Sequence, residues 1–234
     1  MSIRPRRWAN ERVAVLVGLG LASVLCVGLE LVREVHYGGI GLRFMLWNLF
    51  LAWIPLLLAL LIYDRYRDGA RLIRLAPWAV LWLLFLPNAP YTLTDFIHLA
   101  PGRAAPLWFD GAELSAFAWT GLLVGFVSVY LVHAVARHRF GPRVAWAGVF
   151  VVFALVSAGV YLGRFKRWNS WDLIFKPGRR LAQLYAHLGD PAAVARASLL
   201  TLLFAALLTT AYLVFYVLVG VRLGSVARPN TGRE

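Results

Sequence analysis

The sequence has little charge and a single cysteine, and each shortage excludes a class of protein. Only 15% of the residues are charged whereas 61% are hydrophobic, and soluble domains average about 25% charged and about 45–50% apolar residues. Such a chain has too little polar surface to remain in solution as a globular domain. Because Cys26 is the only cysteine, an intramolecular disulfide and a cysteine-based zinc site are excluded.

Charge is absent altogether from long stretches of the chain. Five ranges contain no Asp, Glu, Lys or Arg, and a sixth carries only Glu30: 44–63, 75–94, 114–136, 144–163, 197–221 and, with Glu30, 13–32. As a helix, each can cross a hydrocarbon core of about 30 Å with its backbone groups satisfied internally. We therefore predict an all-α, polytopic helical membrane protein of about six spans, with 1–234 as a single integral-membrane domain.

The positively charged residues indicate how the spans are oriented. If the N-terminus is cytoplasmic, the cytoplasmic segments hold 14 arginines and two of the outer loops hold only Arg33, Arg43 and Arg103. This is the bias typical of membrane proteins, so both termini are predicted to be cytoplasmic. The third outer loop, 164–196, departs from the bias with seven basic residues. Nucleic acid is not an expected partner, because the basic residues flank spans instead of forming one patch.

The third span, predicted at 75–97, is interrupted at 87–90 by Pro87-Asn88-Ala89-Pro90. Two prolines this close remove backbone hydrogen bonds from a regular helix, and Asn88 is suited to a turn or a helix cap. The chain is predicted to restart as a helix at Pro90 or Tyr91. Four polar residues then share one face at i, i+3, i+4 and i+7: Tyr91, Thr94, Asp95 and His98.

A broken helix at membrane depth persists only where it is buried in protein or lines a wet cavity. The polar stripe is therefore a candidate site, with Asp95 and His98 as candidate catalytic residues for acid–base chemistry and Asn88, Tyr91 and Thr94 as candidates for ligand binding. The alternative is an interfacial helix that faces water. The spacing of Asp95 and His98 would suit two metal ligands, but no third ligand is located and no metal site is predicted.

A second polar segment follows the fifth span at 163–172, where basic, aromatic and amide residues lie close together. Arg164 and Arg167 are one helical turn apart and could clamp a phosphate or a carboxylate. The alternative is an aromatic belt with anchoring arginines. With six spans, this segment emerges on the same side as the polar stripe. Its candidate ligand-binding residues are Arg164, Arg167, Trp168, Asn169, Trp171 and Asp172.

Two further patterns concern packing and the membrane surface. Residues 178–190 are typical of a short amphipathic helix lying on the lipid surface, with apolar side chains on one face at Leu181, Leu184, Tyr185 and Leu188. Gly121 and Gly125 in the fourth span form a small-xxx-small pair, which usually serves close helix packing.

The strings LFLPNAPYTLTD at 84–95 and YLGRFKRWNSWD at 161–172 resemble the signatures of an uncharacterised bacterial membrane-protein family, domain of unknown function 1361. The resemblance spans roughly residues 40–225 and implies a multi-pass protein of the bacterial plasma (inner) membrane. It implies no activity, substrate or catalytic residue.

Three classes of function remain open from the sequence, besides the lipid bilayer as a partner. One is a site at the extracytoplasmic face that binds or processes an anionic lipid or an envelope precursor. The others are a transporter of small solutes or ions and a structural or assembly subunit of a membrane complex. Whether the protein is an enzyme, which cofactor it uses and which oligomer it forms are not decided by the sequence.

The orientation can be tested with reporter fusions after Tyr185 and after Glu234. We expect the fusion after Tyr185 to be active only with a periplasmic reporter, and the fusion after Glu234 only with a cytoplasmic one, because arginines are enriched on the cytoplasmic side. A periplasm-active reporter after Glu234 would contradict the predicted orientation.

Overall fold

In a computed structural model, residues 5–38, 42–100, 104–168, 175 and 177–220 of the chain are described. Nearly all of these residues lie in helices and none lies in a strand. Six helical stretches are long and apolar enough to cross a membrane. The predicted all-α fold of a multi-pass membrane protein is confirmed.

The helices follow one another with short connections. In chain order they are α1 (Pro5–Tyr37), α2 (Phe44–Arg67), α3 (Leu72–Phe85), α4 (Asn88–Tyr91), a 3₁₀ helix (Thr92–His98), α5 (Leu107–Phe140), α6 (Pro142–Lys166), α7 (Pro177–Leu188) and α8 (Pro191–Gly220). The third span consists of α3, α4 and the 3₁₀ helix together. We call the face of the bundle at which α1 ends and α5 begins the loop face.

The helix α5 lies at the centre of the bundle and is the most buried of the spans. It packs against α1, α2, α6 and the broken third span. Aromatic rings fill the core where α5 meets α6 and α8. The ring of Phe126 on α5 lies 6.2 Å from that of Phe153 on α6 and 5.7 Å from that of Tyr212 on α8. The helix α5 begins at Leu107, ahead of the predicted start of the span at 114, so Asp110 and Glu113 belong to this span.

The break in the third span is shaped by its own side chains. Asn88 donates from Nδ2 to the carbonyl oxygen of Phe85 at 2.8 Å, so it satisfies a carbonyl that the end of α3 leaves open. The chain restarts as a helix at Asn88 and tightens into the 3₁₀ helix from Thr92. The predicted restart at Pro90 or Tyr91 therefore lies two to three residues beyond the observed one, and the α-helical spacing on which the polar stripe was based does not continue past Tyr91.

Threonine hydroxyls accompany this tightening. Thr92 donates from Oγ1 to the carbonyl oxygen of Ala89 at 3.0 Å, and Thr94 donates likewise to that of Tyr91 at 2.6 Å. Each bond reaches three residues back, as the backbone bonds of a 3₁₀ helix do. With three residues per turn, Asp95 and His98 lie in one row behind Thr92, so the polar stripe differs from the one expected for an α-helix.

Two glycines of α5 allow the broken segment to approach its backbone. A Cβ atom at Gly121 would lie 2.5 Å from Oγ1 of Thr92 and 2.7 Å from the carbonyl oxygen of Ala89. At Gly125 it would lie 2.9 Å from the Cβ atom of Ala89. All three distances are shorter than van der Waals contact, so a larger residue at either position would displace the broken segment. The small-xxx-small pair predicted from the sequence does serve packing.

A second glycine pair, on α6, meets the same segment from the other side. A Cβ atom at Gly159 would lie 2.7 Å from Cγ of Pro87, and one at Gly163 would lie 3.1 Å from Cε2 of Tyr91. The spacing of four residues repeats that on α5. The broken segment is therefore buried between two glycine-lined helix faces, which is one of the two surroundings that a break at membrane depth requires.

The short helix α7 precedes the last span. It is amphipathic and runs over Pro177–Leu188, close to the predicted 178–190. The guanidinium of Arg180 lies 5.4 Å from the centre of the Trp168 ring. This cation–π contact connects α7 to the end of α6 at the loop face.

The glycine contacts predict a stability difference between two equal substitutions on α5. Gly121→Ala should lower the free energy of unfolding by about 1–3 kcal/mol, the usual cost of overpacking, which is roughly 2–12 °C in Tm. The control is Gly111→Ala, since nothing lies within 4 Å of a Cβ atom there; alanine should leave stability equal or slightly raised. Thermal unfolding in detergent measures both. A Tm of Gly121→Ala at or above that of Gly111→Ala would contradict the packing.

Candidate functional site

Asp95 lies at the point where three elements meet near the loop face. Its side chain is fully buried. One carboxylate oxygen, Oδ1, forms an ion pair with Nη2 of Arg164 on α6, and the other, Oδ2, accepts a hydrogen bond of 3.1 Å from Nδ2 of Asn48 on α2. Both oxygens of this buried carboxylate are therefore occupied, as burial of a charge requires.

Arg164 connects the end of α6 to the 3₁₀ helix through several contacts. It donates to Oγ1 of Thr94 from Nε at 2.8 Å and from Nη2 at 2.6 Å, and its Nη2 also donates to Asp95. Its guanidinium carbon lies 4.3 Å from the centre of the Tyr91 ring, in a cation–π contact. We call the group Asn48, Tyr91, Thr94, Asp95, His98 and Arg164 the Arg164 cluster.

His98 completes this cluster. Its Nε2 atom lies 3.3 Å from Nη1 of Arg164. A guanidinium can only donate hydrogen bonds, so Nε2 is the acceptor in this contact and the proton of the imidazole is on Nδ1. The ring also lies edge-on to Phe44 at 4.9 Å between centroids, which holds the imidazole between α2 and α6.

Four of the five N–H groups of the Arg164 guanidinium have hydrogen-bond partners in the cluster. Of the five N–H groups of a guanidinium, one on Nε, two on Nη2 and one on Nη1 have partners in the cluster. The second N–H of Nη1 has none within the described ranges. The Arg164 side chain keeps 12% of its surface exposed, whereas that of Asp95 has none, so Arg164 is the partner of the ion pair that a ligand can reach.

The structure brings together the two sequence motifs through Arg164 alone. The two segments were expected to emerge on the same side, and the ion pair of Asp95 with Arg164 joins them there. The side chain of Arg167 is exposed and makes no hydrogen bond or ion pair with any described residue. The helix α6 ends at Lys166 and Arg167 adopts a left-handed backbone, with φ of 54°. The expected clamp of two arginines one turn apart is therefore not formed, because the helix does not continue through the second one.

The other predicted residues lie around the cluster or outside the described ranges. Asn88 serves the end of α3. Trp168 is half-buried, and its backbone N–H donates to the carbonyl oxygen of Leu162 at 3.2 Å. Three predicted ligand-binding residues lie outside the described residues: Asn169, Trp171 and Asp172.

Sequence reasoning missed a second group of buried charges near the loop face. Arg33 of α1 donates from Nε to Oδ1 of Asp110 on α5 at 3.0 Å, and Glu30 and Glu113 are buried beside this pair. The available signal was the spacing of three residues on each helix, Glu30 to Arg33 and Asp110 to Glu113, next to an apolar run. Among the described residues, no group of three His, Cys, Asp or Glu side chains is arranged to hold a metal ion.

The burial of the Asp95–Arg164 pair predicts a large effect of one neutral substitution. Asp95→Asn keeps the shape but leaves the Arg164 charge uncompensated, and breaking a buried pair in this way costs about 3–5 kcal/mol. The matched control is Asp64→Asn, which breaks the ion pair with Arg12 at 2.8 Å, where the two side chains are 27% and 41% exposed. That pair should contribute about 1 kcal/mol or less. Unfolding in detergent compares them, and equal losses would refute the stronger role of the buried pair.

Comparison with known proteins gives one family. The family model described as a protein of unknown function (DUF1361) matches residues 47–226, which confirms the resemblance noted in the two sequence strings. No curated protein and no solved structure matches the chain. The matched range is most of the chain and contains the broken third span and Arg164, so the protein belongs to the DUF1361 family.

Proposed function

We propose that the chain binds an anionic headgroup at the Arg164 cluster, on the extracytoplasmic side of a bacterial plasma membrane. The ligand is a phosphate-bearing lipid or a lipid-linked envelope precursor. The observation that carries the proposal is one N–H of Arg164 Nη1, which has no partner among the described residues while the four other donors of this guanidinium are engaged.

Asp95 has a positioning role in this proposal. Its carboxylate is fully buried and both oxygens are occupied by Arg164 and Asn48, so it holds the guanidinium plane in place and does not touch the ligand. A fixed guanidinium loses little side-chain entropy when a phosphate binds. His98 and Thr94, both half-exposed beside Arg164, provide further polar groups next to the ligand.

The surroundings of the cluster favour an anion. Lys166, Arg167 and Arg179 are exposed at the same face. Basic side chains near a membrane surface each attract anionic headgroups by about 1 kcal/mol. These residues explain why the loop 164–196 is basic although the predicted orientation would not require it: they raise the local concentration of the ligand, and Arg164 fixes its position.

Two other functions use the same residues differently. In a structural subunit, the Asp95–Arg164 pair would only join the third span to α6, in line with the glycine contacts on both sides of the break. In a transporter, the broken span would line a path, which is a known use of discontinuous helices. That architecture usually has a corresponding break in the other half of the chain, and α5 and α6 are continuous in the described structure.

The test compares two arginines three residues apart on one chain segment. Arg164→Lys keeps the charge beside Asp95 but removes the planar, many-donor group, so retention of phosphatidylglycerol by the purified protein should fall about tenfold or more. A charge-assisted hydrogen bond contributes about 1.5–3 kcal/mol, and 1.4 kcal/mol is tenfold in affinity. Arg167→Lys, in an exposed residue, should change retention by less than about twofold.

The measurement is native mass spectrometry of protein in detergent with phosphatidylglycerol, with phosphatidylcholine as the zwitterionic comparison and inorganic phosphate as a soluble competitor. Growth complementation of a deletion strain by the same variants, at matched protein levels, gives an independent readout. Equal lipid retention and equal complementation by Arg164→Lys and Arg167→Lys would refute the binding proposal and leave the ion pair as a packing contact.

A further inference from the structure

Four charged residues face one another between α1 and α5, near the loop face. Glu30 and Arg33 are one turn apart on α1, and Asp110 and Glu113 are one turn apart on α5. All four side chains are at most 2% exposed. Since both helices are long and apolar enough to cross the membrane, these charges lie in a region where an uncompensated charge costs several kcal/mol, roughly.

Asp110 makes the closest contact with Arg33, the one basic side chain of this group. Arg33 lies with Nε 3.0 Å from Oδ1 and Nη2 3.5 Å from Oδ2 of Asp110, a two-point contact. Its Nε atom is also 3.4 Å from Oε2 of Glu113, close enough for electrostatic attraction but without a hydrogen bond. One arginine therefore faces three carboxyl groups, and the Arg33–Asp110 pair is close to neutral by itself.

The carboxyl group of Glu30 receives no hydrogen bond from any described residue. Both of its oxygens are buried and neither has a hydrogen-bond partner among the described residues; the same holds for both oxygens of Glu113. Glu30 lies one turn before Arg33 on α1, and Arg33 approaches Glu113 to 3.4 Å, so both glutamates are buried around the same arginine. Two carboxylates can only accept hydrogen bonds, so two ionised groups in this position would repel and leave all four oxygens unsatisfied.

We infer that Glu30 and Glu113 form a proton-binding pair inside the membrane. The proton comes from water at the loop face and binds to one carboxylate oxygen. The resulting O–H then donates to the carboxylate of the other residue. This removes one buried negative charge and satisfies one oxygen on each side chain, and the remaining negative charge is shared within reach of Arg33. One O–H bond of a hydronium ion breaks, leaving a water molecule, and one O–H bond forms on the carboxylate; no other bond changes.

The surroundings favour a proton over a metal ion. Within the described residues no third His, Cys, Asp or Glu side chain is arranged with this pair to hold a metal. Among the described residues, the other titratable group near Glu113, besides Arg33 and Asp110, is the Cys26 thiol, which lies 3.4 Å from the Thr120 hydroxyl. The residues of α2 that pack beside Cys26 are apolar, Met45 and Leu49. A proton needs no further ligands, whereas a metal ion would.

The proton makes the contact between α1 and α5 dependent on pH. At neutral pH the folded protein holds a proton that the two glutamates release in the unfolded chain, where they are in water. Stability decreases with rising pH wherever the folded state binds more protons than the unfolded state. The contact of α1 with α5 should therefore weaken as the pH rises, independently of whether the Arg164 cluster binds a lipid.

Infrared difference spectroscopy of the full chain in detergent tests the inference directly. The wild type at neutral pH should show the C=O stretch of a protonated carboxyl group, shifted in D₂O and lost on alkaline titration. Glu30→Gln and Glu113→Gln should each lose this band. The control is Glu34→Gln, one turn further along α1, because Glu34 is part-exposed and paired with the exposed Arg43; this variant should keep the band.

Thermal unfolding across the same pH range provides the second readout. The wild type should lose Tm with rising pH, whereas Glu113→Gln should be flat, because its amide N–H replaces the proton as donor to Glu30. If a glutamine variant does not fold, the alkaline titration of the wild-type band still decides. The inference is overturned if the wild type lacks the band at neutral pH or if both Gln variants retain it. It is also overturned if the pair binds sodium instead of a proton. In that case sodium, but not choline at equal ionic strength, would raise the Tm of the wild type and not that of Glu113→Gln.

Discussion

A lipid bilayer offers no water to a helix that breaks inside it, so the break at residues 87–90 has to be enclosed by protein. The enclosure is possible because Gly121 on α5 and Gly159 on α6 have no side chains to keep the segment away. Their contacts bring Tyr91 against Gly163, the residue before Arg164. The ion pair of Arg164 with Asp95 forms where this enclosure ends, and the position of the cluster thus follows from the packing of the break.

The spans could be predicted from the sequence because transfer into lipid depends on composition summed over about twenty residues, and runs free of charge are visible without a structure. The break was visible for a similarly local reason, since Pro87 and Pro90 cannot belong to a regular helix. Its 3₁₀ geometry was not, because it depends on hydroxyl contacts of Thr92 and Thr94 and on the glycines of two distant helices.

Part of the Arg164 cluster was predictable from the sequence, but Asn48 and the contacts within the cluster were not. Counting the spans indicated that Asp95 and Arg164 emerge on the same side of the membrane, and in the structure they form an ion pair. Helical spacing could not show that α6 ends before Arg167, since that depends on a left-handed residue. Asp110 and Glu113 were missed because a charge-free run was taken as the span, whereas charges with partners on a neighbouring helix can lie inside one.

The 3₁₀ helix has a consequence for the reach of the third span. A 3₁₀ helix rises about 2.0 Å per residue and an α-helix 1.5 Å, so the 7 residues Thr92–His98 extend over about 14 Å instead of about 10 Å. If this segment rewound as an α-helix, His98 would retract by about 3.5 Å along the axis, more than its contact with Nη1 of Arg164 tolerates. The 3₁₀ geometry therefore sets the distance that the third span covers: His98 reaches Arg164 only while Thr92–His98 keeps its larger rise per residue.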